Sequence, residues 1–463
     1  MDRTKKEYLF EEMSIPGAVV KLAIPTILSS LVMVIYNMAD TYFVGILNSP
    51  VQNAAVTLAA PVLLAFNAIN NLFGVGSSSM MSRALGRKDY DTVSRSSAFG
   101  FYCALACGLL FSLICTILRD PLLSLLGADS ETSDATAAYL LWTVSFGAAP
   151  AILNVVMAYM VRAQGNSLHA SLGTMSGCLL NILLDPVFIL PWGLNMGAAG
   201  AGLATFLSNC FACCYFFVWM AIHRKNSYIC IRPHVFTFRR DIVLGICGVG
   251  IPASIQNLLN VTGMTILNNF TAGFGADAVA AMGIAQKINM IPFSIALGLS
   301  QGIMPLISYN YASGNFQRMK QALIFSGKIA LGFVLCVTVF YFFGAAFLVG
   351  LFMKNAHIVE YGAKFLRGFC LGLPFLFLDF LAVGVFQAVG MGRYALVFAI
   401  LRKIVLEIPA IYLLNAIFPL YGLAYSQFTA ELILSIASVF VLLRLFKQLH
   451  NAQQNSQTNP SAT

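Results

Sequence analysis

The chain alternates long apolar stretches with short polar ones along nearly its whole length. An apolar run of about 20 residues is long enough to cross a bilayer as a helix, and the pattern predicts twelve such segments. Their approximate limits are 19–45, 53–82, 93–118, 135–161, 168–190, 197–222, 242–270, 278–308, 319–343, 358–389, 394–416 and 420–446. We therefore predict an all-α polytopic membrane protein.

The second half of the chain repeats landmarks of the first half in the same order. The offset drifts from 227 residues, between Pro25 and Pro252, to 220 residues, between Gly202 and Gly422. The paired landmarks are Ile24-Pro25 with Ile251-Pro252, 85–90 with 312–316, Gly165 with Gly390, Pro186 with Pro409, and 202–204 with 422–424. Because each half has an even number of segments, the halves run in the same direction. Parallel repeats about an axis along the membrane normal are typical of two-lobed secondary transporters.

The predicted domain organisation follows from this repeat. A cytoplasmic N-terminus (1–18) precedes an N-lobe (19–222), and a cytoplasmic linker (223–241) leads to a C-lobe (242–447). The remaining residues, 448–463, are rich in Asn, Gln and Ser, which predicts a disordered tail.

Composition and charge agree with a membrane protein and fix its orientation. The 463 residues are 59% hydrophobic and only 10% charged, whereas a soluble domain carries about 25% charged residues. The formal net charge of +9 does not indicate a nucleic-acid surface, because Lys and Arg fall in short loops between apolar segments. Of the Lys and Arg residues in the loops, only Arg119 and Lys354 lie in loops that are external if the N-terminus is inside, which predicts that both termini are cytoplasmic.

Two acidic residues lie within the predicted spans of the first half. Asp40 is in the first span and Asp185 in the fifth, and Asn181 lies on the same helical face as Asp185 because it precedes it by four residues. A carboxylate at lipid depth costs about 2.5–3.5 kcal/mol on insertion scales, so such acids are functional candidates. Without a neighbouring cation, a buried carboxylate favours its protonated form or coordinates Na⁺. The alternative is a structural role, with both acids bonded to Ser or Thr hydroxyls.

The second half carries weaker candidates: Asp379, Gln256, Asn260, Lys287 and Glu407. Buried amides often serve only as interhelical hydrogen bonds. Arg402 and Lys403 lie close to Glu407 in sequence, so a structural ion pair is an alternative to ion coupling. Among the prolines within spans, Pro25 and Pro186 are candidate hinges, because proline removes a backbone hydrogen bond and can kink its helix.

Several motifs resemble the multidrug and toxic compound extrusion (MATE) family, in particular its bacterial members. These are Ile24-Pro25, the run 36–45 (YNMADTYFVG), 58–61 (LAAP), 162–166 (RAQGN), 181–186 (NILLDP), and 305–311 with Gly314. The resemblance covers essentially the whole chain. It implies two six-helix lobes around a central cavity, and export of cationic, amphipathic drugs and dyes in exchange for H⁺ or Na⁺.

The resemblance also implies site residues. Asp40, Asn181 and Asp185 match the cation-coupling site of the N-lobe, which would hold Na⁺ if Na⁺ is the coupling ion, and Tyr36 and Thr41 neighbour it. Asp379 resembles an acid that some members have in the tenth span. The chain departs from other members that carry a Glu shortly after the proline of the seventh span, since residues 254–260 contain no acid.

Other functions are less consistent with the sequence. A flippase for lipid-linked oligosaccharides would need a cationic cavity for its pyrophosphate, and an intramembrane enzyme would need a histidine or paired carboxylates beside a polar loop. A channel would conduct without an ion gradient. We therefore expect no enzymatic activity, no cofactor and no nucleic-acid partner. We expect a monomer in the bacterial cytoplasmic membrane, with small organic cations and the lipid bilayer as its partners.

Overall fold

The computed structural model describes residues 3–458, with side chains over 7–451. This part of the chain is helical, with short turns between most helices and one longer connection, 223–239, that contains a 3₁₀ helix (Pro233–Val235). The first half contains α1 (Arg3–Glu11), α2 (Ile15–Ile46), α3 (Pro50–Asn70), α4 (Gly76–Gly86), α5 (Tyr90–Ile117), α6 (Arg119–Leu125), α7 (Ser133–Leu140), α8 (Ala148–Ala163), α9 (Ser167–Ile189) and α10 (Ala198–Ile222). The second half contains α11 (Arg240–Ala272), α12 (Ala276–Ala312), α13 (Phe316–Gly350), α14 (Ala356–Ala388), α15 (Gly392–Ile400), α16 (Ile408–Ile417) and α17 (Gly422–Thr458).

Three π-helical segments lie between α-helices; the first and third continue directly into the next helix, whereas the second is followed by a bend at Gly147. They are π1 (Asn71–Val75) between α3 and α4, π2 (Leu141–Phe146) after α7, and π3 (Leu401–Glu407) between α15 and α16. Such segments are rare, and they often occur at functional sites.

The predicted spans correspond to helices of the structure. Over residues 3–458, ten helices are long and apolar enough to cross a membrane. An eleventh crossing consists of Ser133–Phe146 and Ala148–Ala163, which meet at a bend of 49°. The eleventh predicted segment, 394–416, coincides with the continuous run α15–π3–α16. The prediction of an all-α polytopic membrane protein is confirmed.

The described chain forms two compact units, each with its own core. The first unit contains residues 3–12 and 28–254, and the second contains 13–27 and 255–458. Helix α2 therefore belongs to the second unit up to residue 27 and to the first unit beyond it, and α11 changes units in the opposite sense after residue 254. The predicted lobe boundaries at 222 and 242 remain a prediction.

Glycines allow the two shared helices to pack closely within each unit. A side chain at Gly302 of α12 would lie 2.7 Å from the Cα of Ala23, so the start of α2 lies directly against α12 in the second unit. In the first unit, a Cβ on Gly76 would lie 2.5 Å from the carbonyl oxygen of Ile246 in α11. Small residues at such contacts are typical of helix packing in membranes, where close van der Waals contact replaces the hydrophobic effect.

Helix α14 forms the centre of the second unit. It packs against α12, α13 and α17, and its face around Phe386 joins a buried cluster with Phe398 of α15 and Leu434 of α17. In the first unit α8 has the corresponding position, packed against α5, α9 and α10.

The structure differs from the predicted disordered tail over part of its length. Helix α17 continues to Thr458, whereas disorder was predicted from residue 448; residues 459–463 lie outside the described residues. Extending an existing helix adds one hydrogen bond for each residue fixed, and Ala and Gln are good helix formers. A polar composition therefore did not end the helix at the predicted point.

Candidate functional site

Helix α2 presents a tyrosine and an acid on one face of the first unit. Tyr36 and Asp40 are four residues apart, and the Tyr36 hydroxyl is hydrogen-bonded to Thr205 of α10 and lies within electrostatic range of Asp40. Asp40 is half-buried, and its Oδ1 atom is shielded from solvent without a hydrogen-bond partner. The face thus holds a carboxylate oxygen with unused bonding capacity.

Helix α9 supplies the second acid and an amide that holds it. Asp185 is fully buried and Asn181 is 1% exposed. With its amide nitrogen directed at Asp185, Asn181 donates to Oδ2 at 2.8 Å and to Oδ1 at 3.2 Å. Its oxygen then accepts from the Thr205 hydroxyl at 3.3 Å and from the Thr205 backbone nitrogen at 3.1 Å. This orientation satisfies both ends of the amide and fixes the position of the carboxylate.

The two acids belong to one cluster. Asp40 and Asp185 interact electrostatically with each other, and the buried Tyr139 of α7 interacts with both. We call Tyr36, Asp40, Tyr139, Asn181, Asp185 and Thr205 the first-unit cluster.

The first-unit cluster contains no basic side chain. Neither Asp40 nor Asp185 forms an ion pair with a residue in the described part of the chain. Two neighbouring carboxylates repel each other when both are ionised, and a bound proton or metal cation removes that repulsion. A bound proton or small cation would therefore stabilise this arrangement of acids.

Three other predicted residues are not part of the first-unit cluster. Thr41 is exposed, and its hydroxyl donates to the carbonyl of Asn37 in its own helix at 2.9 Å, so it is not brought into the cluster. Pro186 directly follows Asp185 inside α9 and leaves the carbonyl of Ile182 without its helical donor. Pro25 lies inside α2, in the part that belongs to the second unit. The hinge roles of both prolines remain predictions.

The second unit contains a separate buried group of charges. Arg402 of π3 is 2% exposed; its Nη1 lies 3.3 Å from Asp379 of α14 and 3.8 Å from Glu431 of α17. Its Nη2 donates to the side-chain oxygen of Asn260 in α11, and its guanidinium lies over the Phe380 ring at 5.2 Å. The arginine thus connects three helices through side-chain contacts.

The remaining candidates of the second half lie in three different surroundings. Lys403 and Glu407 form a close ion pair, at 2.7 Å and 2.6 Å to the two carboxylate oxygens. This contact is the one expected for a structural pair, and a role of Glu407 in ion coupling remains a prediction. Gln256 accepts a bond from Gln387 at 3.2 Å. Lys287 is exposed and has no ion pair within the described residues. We call Asn260, Asp379, Arg402, Lys403, Glu407 and Glu431 the second-unit cluster.

Sequence reasoning missed Tyr139 and Thr205 in the first-unit cluster. A single hydroxyl in an apolar span is common, and neither residue has a motif around it. The one available signal is that the polar face of α9 at Asn181 and Asp185 requires a hydrogen-bonding partner on a neighbouring helix, because a buried polar group without one is costly.

One known family matches the chain, and it matches twice. The family model described as MatE matches residues 25–187 and again 252–413. The two matches begin 227 residues apart, as Pro25 and Pro252 do, so the predicted internal repeat is confirmed.

The chain is also similar to characterised and solved proteins along nearly its whole length. It is 34% identical over 445 residues to the multidrug export protein MepA of Staphylococcus haemolyticus, covering 96% of each chain, and 33% identical over 447 residues to MepA of Staphylococcus aureus, again 96% of each. A crystal structure of MATE in complex with MaL6 superposes with a TM-score of 0.90 at 25% identity, covering 96% of this chain and 99% of that one. An outward-facing MATE family multidrug resistance transporter gives 0.90 at 26% identity, with the same coverage.

Proposed function

Because the chain belongs to the MatE family, we propose that this multidrug efflux transporter is a secondary antiporter that exports cationic, amphipathic drugs and dyes in exchange for H⁺ or Na⁺. The observation that carries the proposal is the first-unit cluster. It joins two carboxylates on different helices, has no basic partner, and retains an unpartnered oxygen on Asp40.

Each residue of the cluster has a role in the proposed exchange. Asp185 holds the coupling cation, because its two oxygens are fixed by Asn181. Asp40 supplies further negative charge and its free oxygen, and Tyr36 orients Thr205 and borders the acid pair. Arrival of a cation cancels one of the two negative charges of the pair, and its departure restores that charge. A change of this kind at lipid depth is large enough to bias the transporter between inward-open and outward-open states.

The charge of the acids favours cationic substrates over an anionic lipid headgroup. A pyrophosphate-linked lipid would need buried basic residues without acidic partners. In the second unit, Arg402 and Lys403 are both paired with carboxylates. The flippase alternative therefore has less support than export of organic cations, and the relatives named MepA are export proteins.

The remaining properties follow from the same proposal. The protein acts as a transporter and not as an enzyme, needs no cofactor besides its coupling ion, and works as a monomer in the cytoplasmic membrane of its bacterium with both termini inside. Its partners are small organic cations and the lipid bilayer, with no nucleic acid.

Transport by purified protein in liposomes tests the proposal. Dye movement is measured with a pH gradient or a Na⁺ gradient imposed separately, and with neither. We expect movement against the dye gradient with one of the two ion gradients, and no such movement with the Asp185→Asn variant. Dye flux that only follows its own gradient would favour a channel and contradict the proposal, as would translocation of a pyrophosphate-linked lipid without dye transport.

A further inference from the structure

The second-unit cluster contains more buried acid than buried base. Asp379, Glu407 and Glu431 face only Arg402 and Lys403, and the acids and Arg402 are 1–5% exposed. Lys403 and Glu407 neutralise each other at 2.6 Å. Arg402 is therefore the one remaining cation of the cluster for both Asp379, at 3.3 Å, and Glu431, at 3.8 Å.

The geometry around Arg402 leaves an unused oxygen on each of its two acids. Asp379 Oδ1 and Glu431 Oε2 are shielded from solvent and have no hydrogen-bond partner in the described residues. One guanidinium neutralises one carboxylate, and a second buried carboxylate without its own cation is expensive. A proton on either oxygen would neutralise the pair and convert one orphaned acceptor into a donor.

Charged groups on the neighbouring helices do not supply the missing positive charge. The groups that face Glu431 are Arg402, Asp379, Glu407 and Lys403, and α16, which packs against α17, contains no charged residue. Lys287 of α12 is exposed, as are Lys320 and Lys328 of α13. At the far end of α14, Lys364 pairs with Glu360 and Arg367 donates to the carbonyl of Phe342; Arg318 of α13 donates to the carbonyl of Met13.

We infer that Asp379 and Glu431 together form a second ion site, which takes one proton and excludes metal cations. The guanidinium of Arg402 is a resident cation among the oxygens of Asp379, Glu431 and Asn260, where a metal ion would otherwise bind, and it repels any further metal ion. A proton from bulk water is small enough to add to a carboxylate oxygen beside it. Because the two acids share one guanidinium, the proton belongs to the pair and not to either residue alone.

The position of the site links this proton to helix packing. Arg402 lies in π3, where the helical register changes, and its contacts reach α11, α14 and α17. Loss of the proton leaves two carboxylates competing for one guanidinium. The contacts of Arg402 on these helices therefore depend on whether the acid pair holds the proton. The inference concerns the second unit alone and is independent of the transport proposal.

Infrared spectroscopy of the purified full-length protein in lipid tests this directly. The parent is the Asp40→Asn/Asp185→Asn variant, in which the first-unit cluster contributes no carboxylic acid. At near-neutral pH we expect a carbonyl stretch of a protonated carboxylic acid, shifted in D₂O. One equivalent should be lost on adding Glu431→Gln, and also on adding Asp379→Asn, because in each case the remaining acid pairs with Arg402 and ionises.

The matched control is Glu360→Gln on α14, because Glu360 is an exposed acid paired with Lys364 at 2.8 Å and its loss should leave the signal unchanged. The inference is overturned if the signal persists in both the Glu431→Gln and Asp379→Asn proteins, if it is lost only with Glu360→Gln, or if Na⁺ displaces it from the parent. Both substitutions are nearly isosteric, and thermal unfolding checks that each variant is folded. If one variant does not fold, the other and the Na⁺ titration of the parent still decide.

Discussion

Replacing Asp185 by Asn separates the stability of the first-unit cluster from its ion binding. The amide keeps the shape of the carboxylate and one acceptor oxygen, but it loses one of the two bonds from Asn181, at 2.8 Å and 3.2 Å. A hydrogen bond to a charged group contributes about 1.5–3 kcal/mol. Removing the buried charge offsets this, since a buried ion carries a desolvation penalty of several kcal/mol. We therefore expect the free energy of unfolding to change by no more than about 2 kcal/mol.

Ion binding should respond far more strongly than stability. A neutral amide has no charge to attract a cation and no site for a proton at physiological pH. If the lost interaction is about 3 kcal/mol, the low end for breaking a buried charge pair, cation affinity falls about 100-fold, because 1.4 kcal/mol corresponds to a factor of ten. Coupled export should then fall to the background level of cells without the transporter.

Ethidium efflux from intact cells measures this effect, with protein level and thermal unfolding determined for the same variants. Glu131→Gln is the matched control, because it makes the same acid-to-amide change at an exposed loop position and should export normally. Undiminished efflux by a well-expressed Asp185→Asn protein would refute the coupling role. Loss of expression or folding in the Asp185→Asn protein would show that the expected small change in the free energy of unfolding is wrong.

Three further substitutions have defined outcomes. Thr41→Val should leave dye efflux within about twofold of wild type, because the hydroxyl is exposed and bonds only to Asn37; a loss comparable to that of an acid variant would place it in the ion site. Gly165→Ala should lower the free energy of unfolding by about 1–3 kcal/mol. The residue has φ +87°, and the Cβ of alanine would lie 2.9 Å from a side chain of α1. An unchanged thermal midpoint would contradict this expectation. Arg402→Gln should destabilise the protein by about 3–5 kcal/mol, because it leaves buried acids without their cation. Adding Asp379→Asn should restore part of the lost thermal midpoint, whereas equal midpoints for the single and double variants would refute the shared pairing.

The spans and the acid candidates could be predicted because each depends on local sequence. Length and hydropathy define a membrane helix whatever its neighbours are, and an acid such as Asp185 is conspicuous in an apolar run because of its insertion cost. The internal repeat was visible for a similar reason, since Pro25 and Pro252 disrupt their helices in the same way.

Contacts between helices could not be predicted in the same way. The sequence placed Arg402 near Glu407, but the side chain pairs with Asp379 and Glu431 on other helices, and only Lys403 pairs within its own helix. The role of Thr205 could likewise not be predicted from the sequence, because it depends on the contact of Thr205 with Asn181 on a neighbouring helix. The hydropathy of α2 does not show where the helix passes from the second unit to the first, because a membrane helix is apolar in whichever bundle it packs.

The central claim is that a small cation occupies the acid pair of Asp40 and Asp185 and leaves when the transporter takes up its substrate. The direct measurement is cation release from purified protein on addition of ethidium, followed with a pH indicator in weak buffer for H⁺ and with preloaded ²²Na⁺ for Na⁺. We predict release of one of the two ions from the wild type and none from the Asp40→Asn/Asp185→Asn variant. Equal release from both proteins, or ethidium binding to the wild type without release of either ion, would contradict the account.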